Sequence, residues 1–125
     1  MINLAGRLRF SELTLLIERA CVFVGPDTSV THLAAACGVP TVALFGPSHP
    51  VAWGPWPQGY AGAADSPWQM RAPLQHQGNV WIVQGITDCV PCLQEGCERH
   101  LNSRADCLDF MPASRVIAVV TQALA

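Results

Sequence analysis

The sequence predicts an α/β fold organised around a βαβ unit with parallel strands. Two observations carry this expectation. The runs CVFVG (21–25) and TVALFG (41–46) are short, continuously apolar and rich in β-branched residues, as strands covered on both faces are. Between them, Thr28 to Cys37 is an Ala-rich stretch of helical length, closed by Gly38 and Pro40. Two parallel neighbours need a crossover of this kind.

The remaining elements follow in order. Phe10 to Ala20 carries apolar residues at 13, 16, 17 and 20, which is helical spacing, with Ser11 as the expected cap and Glu12 suited to the first turn. The stretch 47–78 holds six of the ten prolines and three of the four tryptophans, and reads as one long loop. NVWIVQG (79–85) predicts a third strand, and 89–107 is a cysteine-rich segment. Pro112 stands before a last helix over 113–125, with apolar residues at 116, 117, 120 and 124. Two or three strands are few for a doubly wound sheet. Residues 1–125 are therefore expected to form a single, partial domain, the end of a larger α/β one.

Composition excludes several function classes. Charged residues make up 13% of the 125 and the net charge is −2, so there is no basic footprint for nucleic acid. All seven cations are arginine, which removes a lysine Schiff base and a Walker-type lysine from this chain. No apolar run reaches the roughly 18 residues of a membrane span, and MINLAGRLRFSEL is not expected to be a secretory leader. The expected location is cytoplasmic, where thiols stay reduced. Six cysteines then read as metal ligands or core thiols before they read as disulfides.

The chemistry is expected at the entrance to the 28–37 helix. Asp27 is the one Asp, Glu, Lys or Arg between Arg19 and Asp65. Loops leaving parallel strands for a helix are where α/β sheets bind ligands, and the first helical N–H groups suit a phosphate. Thr28 and Ser29 add hydroxyls, and His32 lies one turn further along the same face. Val30, Leu33 and Cys37 form another face, expected against the sheet. A plainer reading is open: Asp and Thr are good helix caps, and His32 can be an ordinary half-buried histidine. An anion beside a diphosphate is repulsive, so Asp27 is expected to cap the helix or meet a hydroxyl.

DTSVTHLAA (27–35), FGPS (45–48) and WGP (53–55), with NLAG (3–6) before them and CLD (107–109) after, come in the order seen in glycosyltransferase family 9, the lipopolysaccharide heptosyltransferase family, which the chain resembles. Ser29 stands where that family usually has Gly, and Ser48 where it has Thr. The resemblance implies a GT-B fold of two Rossmann-like domains. This chain would be part of the C-terminal, donor-binding domain. It also implies inverting transfer of a sugar from a nucleoside diphosphate sugar, ADP-heptose-like, to a glycolipid hydroxyl, with no metal needed for catalysis. Asp27, Thr28, Ser29, Val30 and His32 would contact the donor, with Ser48 beside them and Leu8 against the nucleotide base. The base that takes the acceptor proton is an Asp of the acceptor domain, so no catalytic residue is assigned here and the chain alone is expected to be inactive. A glycolipid acceptor implies a peripheral position at the inner membrane. A complementing N-terminal domain or a second copy would cover the sheet's open edge. The competing readings are a non-catalytic nucleotide-sugar-binding or assembly module and a GT-B-like epimerase.

Cys89, Cys92, Cys97 and Cys107 follow C-x2-C-x4-C-x9-C, spacing that admits a structural zinc, with His100 as a spare ligand. Reduced thiols or one disulfide fit the same pattern. Cys21 and Cys37 are expected in the core. Trp53, Trp56 and Trp68 are expected to pack the long loop, with stacking on a sugar or base as the alternative, and His49 stands near the presumed cleft.

Overall fold

The computed structural model describes residues 1–62 and 65–125. Its elements are α1 (Phe10–Glu18), β1 (Phe23–Pro26), α2 (Ser29–Ala36), β2 (Thr41–Phe45), α3 (Pro50–Trp53), β3 (Leu74–Gln77), β4 (Val80–Gln84), α4 (Asp106–Asp109) and α5 (Ala113–Leu124). The sheet order is β1-β2-β4-β3. β2 pairs in parallel with β1 and with β4, and β3 pairs antiparallel with β4. The expected α/β class and the parallel βαβ unit are both present. Among the described residues no helix is long and apolar enough to cross a membrane.

Strand alternation sorts the core into two layers. Val42 and Val83 pack with Val119 of α5, joined by Leu44 and Trp81. Ala43, Phe45, Val80 and Ile82 face the other way, toward Ala35 of α2 and Trp68 of the long connection. The register explains this, since Ala43 lies beside Ile82 and Leu44 beside Val83. Side chains one residue apart point to opposite faces, so both faces of β2 are buried.

Several expectations are corrected. The stretch 47–78 is not all loop, because it contains the short α3 and the edge strand β3. LQHQ carries no apolar alternation. Its pairing is set by the two-residue Gly78-Asn79 turn, a hairpin signal, with Gly78 at φ 55°. α1 is capped at Arg9, not Ser11, because the Glu12 carboxylate accepts from the Arg9 N–H at 2.8 Å. Val30, Leu33 and Cys37 share a cluster with Ile17, Leu13 and Ala20 around α1 as well as with Phe23 of β1. The small Ala34 and Ala35, with Thr31, are the buried residues of α2. α5 buries Val119 with Val116, Val120 and Ala123 alongside, while Ile117 and Leu124 are exposed. Cys21 is exposed, since the strand begins two residues later at Phe23, and Cys37 is half-buried.

The long connection is fastened by polar side chains. Asn79 Nδ2 donates to the carbonyls of Ala35 (3.0 Å) and Val39 (2.9 Å), and its Oδ1 accepts from Gln58 N–H (2.9 Å). One side chain thus serves the C-terminal end of α2 and the start of the connection. Gln84, fully buried, accepts from Ala72 N–H (2.9 Å) and donates to Met70 O (3.2 Å). Trp68 is 4% exposed and donates to Pro55 O at 3.1 Å. Trp68 therefore packs the loop as expected. At about 1 kcal/mol net per bond, Asn79→Ala is expected to destabilise the protein by about 2–3 kcal/mol in urea denaturation. Asn79→Asp should cost more, because it turns an acceptor toward two carbonyls; equal losses would show that the donors are not what matters.

Candidate functional site

Parallel strands β1 and β2 end on the same edge of the sheet, so the turns that follow them meet there. An open cleft of about 390 Å³ lies at this edge, lined by Asp27 from the first turn, by Pro47, Ser48, His49 and Trp53 from the second, and by Leu93, Gln94 and Glu95. Three stretches distant in sequence thus face one space of ligand size.

Asp27 does not cap α2. The N-cap position is Thr28, and no side chain closes the helix end. Among the described residues the N–H groups of Ser29 and Val30 meet no acceptor, which leaves partial positive charge at the entrance. Thr28 and Ser29 are exposed beside them. The Asp27 carboxylate stands 3.9 Å from His32 Nε2, too long for a hydrogen bond. Both groups keep free capacity for another partner.

The residue that organises the entrance is Thr31, which is not among the residues expected there from spacing. Its hydroxyl donates to Pro26 O at 2.6 Å and lies 3.3 Å from Thr28 Oγ1. Its one proton is committed to Pro26, so Thr28 donates in the second contact. At 3.3 Å that bond is long for O–H···O, and Thr28 can exchange it for a ligand oxygen at small cost. Thr31 is fully buried and faces Gly25, where a Cβ would stand 3.0 Å from its Oγ1. A Thr four positions after an Asp at a strand end was the available signal.

The other expected residues are distributed unevenly. Ser48 and His49 line the cleft, and His49 Nδ1 accepts from Ala52 N–H at 3.4 Å, leaving Nε2 as the free nitrogen. Trp53 is 61% exposed on the cleft wall, unlike Trp68, while Trp56 is exposed and meets Tyr60 edge to face at 5.4 Å. Leu8 is not at the cleft; it lies in a separate hollow with Leu4, Ala5, Gly6, Leu13 and Leu16. Glu95 is a lining residue that no local pattern marks. The cleft thus holds two carboxylates, Asp27 and Glu95, and no arginine. Cys89, Cys92, Cys97 and Cys107 meet in a neighbouring pocket, where burial and the other thiols push the Cys107 thiol up from its ordinary pKa. Thr31→Val keeps the shape but leaves Pro26 O unpaired. It is expected to cost about 1–3 kcal/mol by urea denaturation, and no loss would show that the Thr31 bond does not hold the entrance.

Comparison with known proteins gives a consistent result. The family model described as Glycosyltransferase family 9 (heptosyltransferase) matches residues 1–99. Lipopolysaccharide heptosyltransferase 3 of Escherichia coli (strain K12) is 46% identical over 54 residues, 43% of this chain and 16% of that protein. Lipopolysaccharide heptosyltransferase 1 of Pseudomonas aeruginosa is 39% identical over 96 residues, 77% of this chain and 20% of that protein. Lipooligosaccharide heptosyltransferase 2 of Haemophilus influenzae is 39% identical over 49 residues, 39% of this chain and 14% of that protein. The chain therefore spans a fifth or less of the length of these relatives. No solved structure matches significantly.

Proposed function

The chain belongs to glycosyltransferase family 9, the heptosyltransferase family, and from that premise we propose that it is the donor-binding part of a glycosyltransferase of lipopolysaccharide core or related glycan synthesis. Its ligand is a nucleoside diphosphate sugar, ADP-heptose-like. The observation that carries this reading is the uncapped entrance of α2, opening beside a cleft with two carboxylates and no arginine.

The charges divide the ligand. A diphosphate belongs over the free N–H groups of Ser29 and Val30, with Thr28 and Ser29 hydroxyls and His32 beside it. Asp27 and Glu95 repel phosphate but accept hydrogen bonds from sugar hydroxyls, so the sugar belongs in the cleft between them. Trp53 offers a ring face for the sugar and His49 Nε2 a further polar contact. In transfer, charge develops on the departing diphosphate. The helix entrance stabilises it without reorganising, which is an electrostatic contribution to an inverting displacement. Acceptor binding and removal of the acceptor proton are assigned to residues outside this segment, because the relatives extend far beyond it. The reading places the work at the cytoplasmic face of the inner membrane and requires no metal in catalysis. The outer edge of β1 is the surface for a complementing domain or second copy.

Calorimetry with ADP, UDP and their sugars tests the reading. Selective ADP binding, weakened about tenfold or more by Thr28→Ala with His32→Ala, is expected. Binding of no nucleotide would leave a structural module in its place. Asp27→Asn is expected to leave ADP binding unchanged or tighter, since it removes a nearby anion, while weakening the ADP-sugar about tenfold. Equal weakening of both ligands would overturn the division of roles.

A further inference from the structure

The segment 86–106 buries little of itself. Its 21 residues contain no helix or strand before α4 opens at Asp106, and among them Val90 and Gly96 alone are buried. A chain that covers so little apolar surface does not recover the entropy of a fixed path from the hydrophobic effect. It nevertheless follows a defined and strained route. Leu93 adopts φ 60° and Arg99 φ 61°, conformations unfavourable for residues with a Cβ, which persist where the surroundings over-determine them. Backbone hydrogen bonds hold two points, Leu93 N–H to Pro47 O (2.9 Å) and Cys97 N–H to Arg104 O (2.8 Å).

What gathers at the centre of this path is sulfur. Cys89, Cys92, Cys97 and Cys107 line one small pocket of about 100 Å³, walled otherwise by Pro47, Thr87, Gly96, Ala105 and Asp106. Cys21 and Cys37 are elsewhere. Cys107 is wedged between the ends of β2 and β4: a Cβ at Gly46 would meet its Sγ at 2.7 Å, and one at Gly85 its Cβ at 2.7 Å. The Asp106 N–H donates to Cys97 Sγ (3.4 Å), and Thr87 Oγ1 lies 3.6 Å from Cys89 Sγ, the kind of outer contact that steadies thiolate ligands. His100 is turned away, its Nε2 3.0 Å from Glu98, and does not line the pocket.

We propose that Cys89, Cys92, Cys97 and Cys107 form a tetrathiolate zinc site that binds segment 86–106 to the ends of β2 and β4. Four thiolates suit zinc in a closed, tetrahedral, structural site, and Asp106 is the one further residue of a ligand type on the pocket lining. Among the described residues no three ligands yet close on one point at coordination distance. Binding would therefore require the sulfurs to close inward from the pocket wall, each thiol giving its proton to solvent. Leu93, Gln94 and Glu95 lie between the second and third ligands and also form one wall of the cleft, so the metal fixes that wall.

The test is elemental analysis of the wild-type protein, purified reduced and without chelator. About one zinc per chain is expected, retained in Cys37→Ser and His100→Ala and lost in Cys97→Ser. Replacement by cobalt should give the intense visible bands of a tetrahedral thiolate, and chelation should make 86–106 the first site of proteolysis. Fewer than about 0.2 zinc per reduced chain, zinc retained in Cys97→Ser, or disulfides among these four cysteines in the native protein by mass spectrometry would each overturn the proposal.

Discussion

The parallel pairing of β2 with both β1 and β4 is the constraint on which the rest depends. Parallel strands present all their C-terminal ends at one edge. That geometry brings the 26–28 turn beside the 46–49 turn and places the chain leaving β4 next to them. It also demands that both faces of β2 be covered, which α2 with the Trp68 loop and α5 accomplish. The cleft is a consequence of this arrangement, and it needs no element of its own.

Covering the sheet creates a second problem, because β2 returns to β4 through a connection with little regular structure. Apolar contact at Trp68 holds its middle. Polar side chains from the β4 neighbourhood hold its ends: Asn79 spans to α2 and Gln58, and Gln84 spans to Met70 and Ala72. Each is a side chain satisfying backbone groups that a loop cannot satisfy for itself. Stability and site geometry are thereby coupled, since the same connection carries Ser48, His49 and Trp53 into the cleft.

The electrostatics of the cleft follow from what is absent as much as from what is present. With no arginine on its lining, the partial positive charge beside the cleft is that of the backbone at the start of α2. That charge exists because no side chain caps the helix. In the proposed binding mode Asp27 and Glu95 would distinguish one end of the ligand from the other, which a uniformly cationic cleft would not do.

The amino-acid sequence by itself determined the βαβ unit and the helix entrance at 27–32, because each is written in short-range periodicity and spacing, while the ordered motifs DTSVTHLAA, FGPS and WGP carried the resemblance to the family. Residues 21–25, 28–37 and 41–46 announce their elements through local pattern, and the structure places them within a few residues of expectation. Only the tertiary structure decided the polar edge strand β3, the packing of Val30, Leu33 and Cys37 with α1 as well as β1, the role of Thr31, and the place of Glu95 on the same cleft as Asp27. Cys107 joining the three earlier cysteines is of the same kind: the spacing admits it, and the close approach to Gly46 and Gly85 positions it. These contacts join residues far apart in the chain. Long-range packing selects them, and it leaves no periodic mark in the segments it brings together.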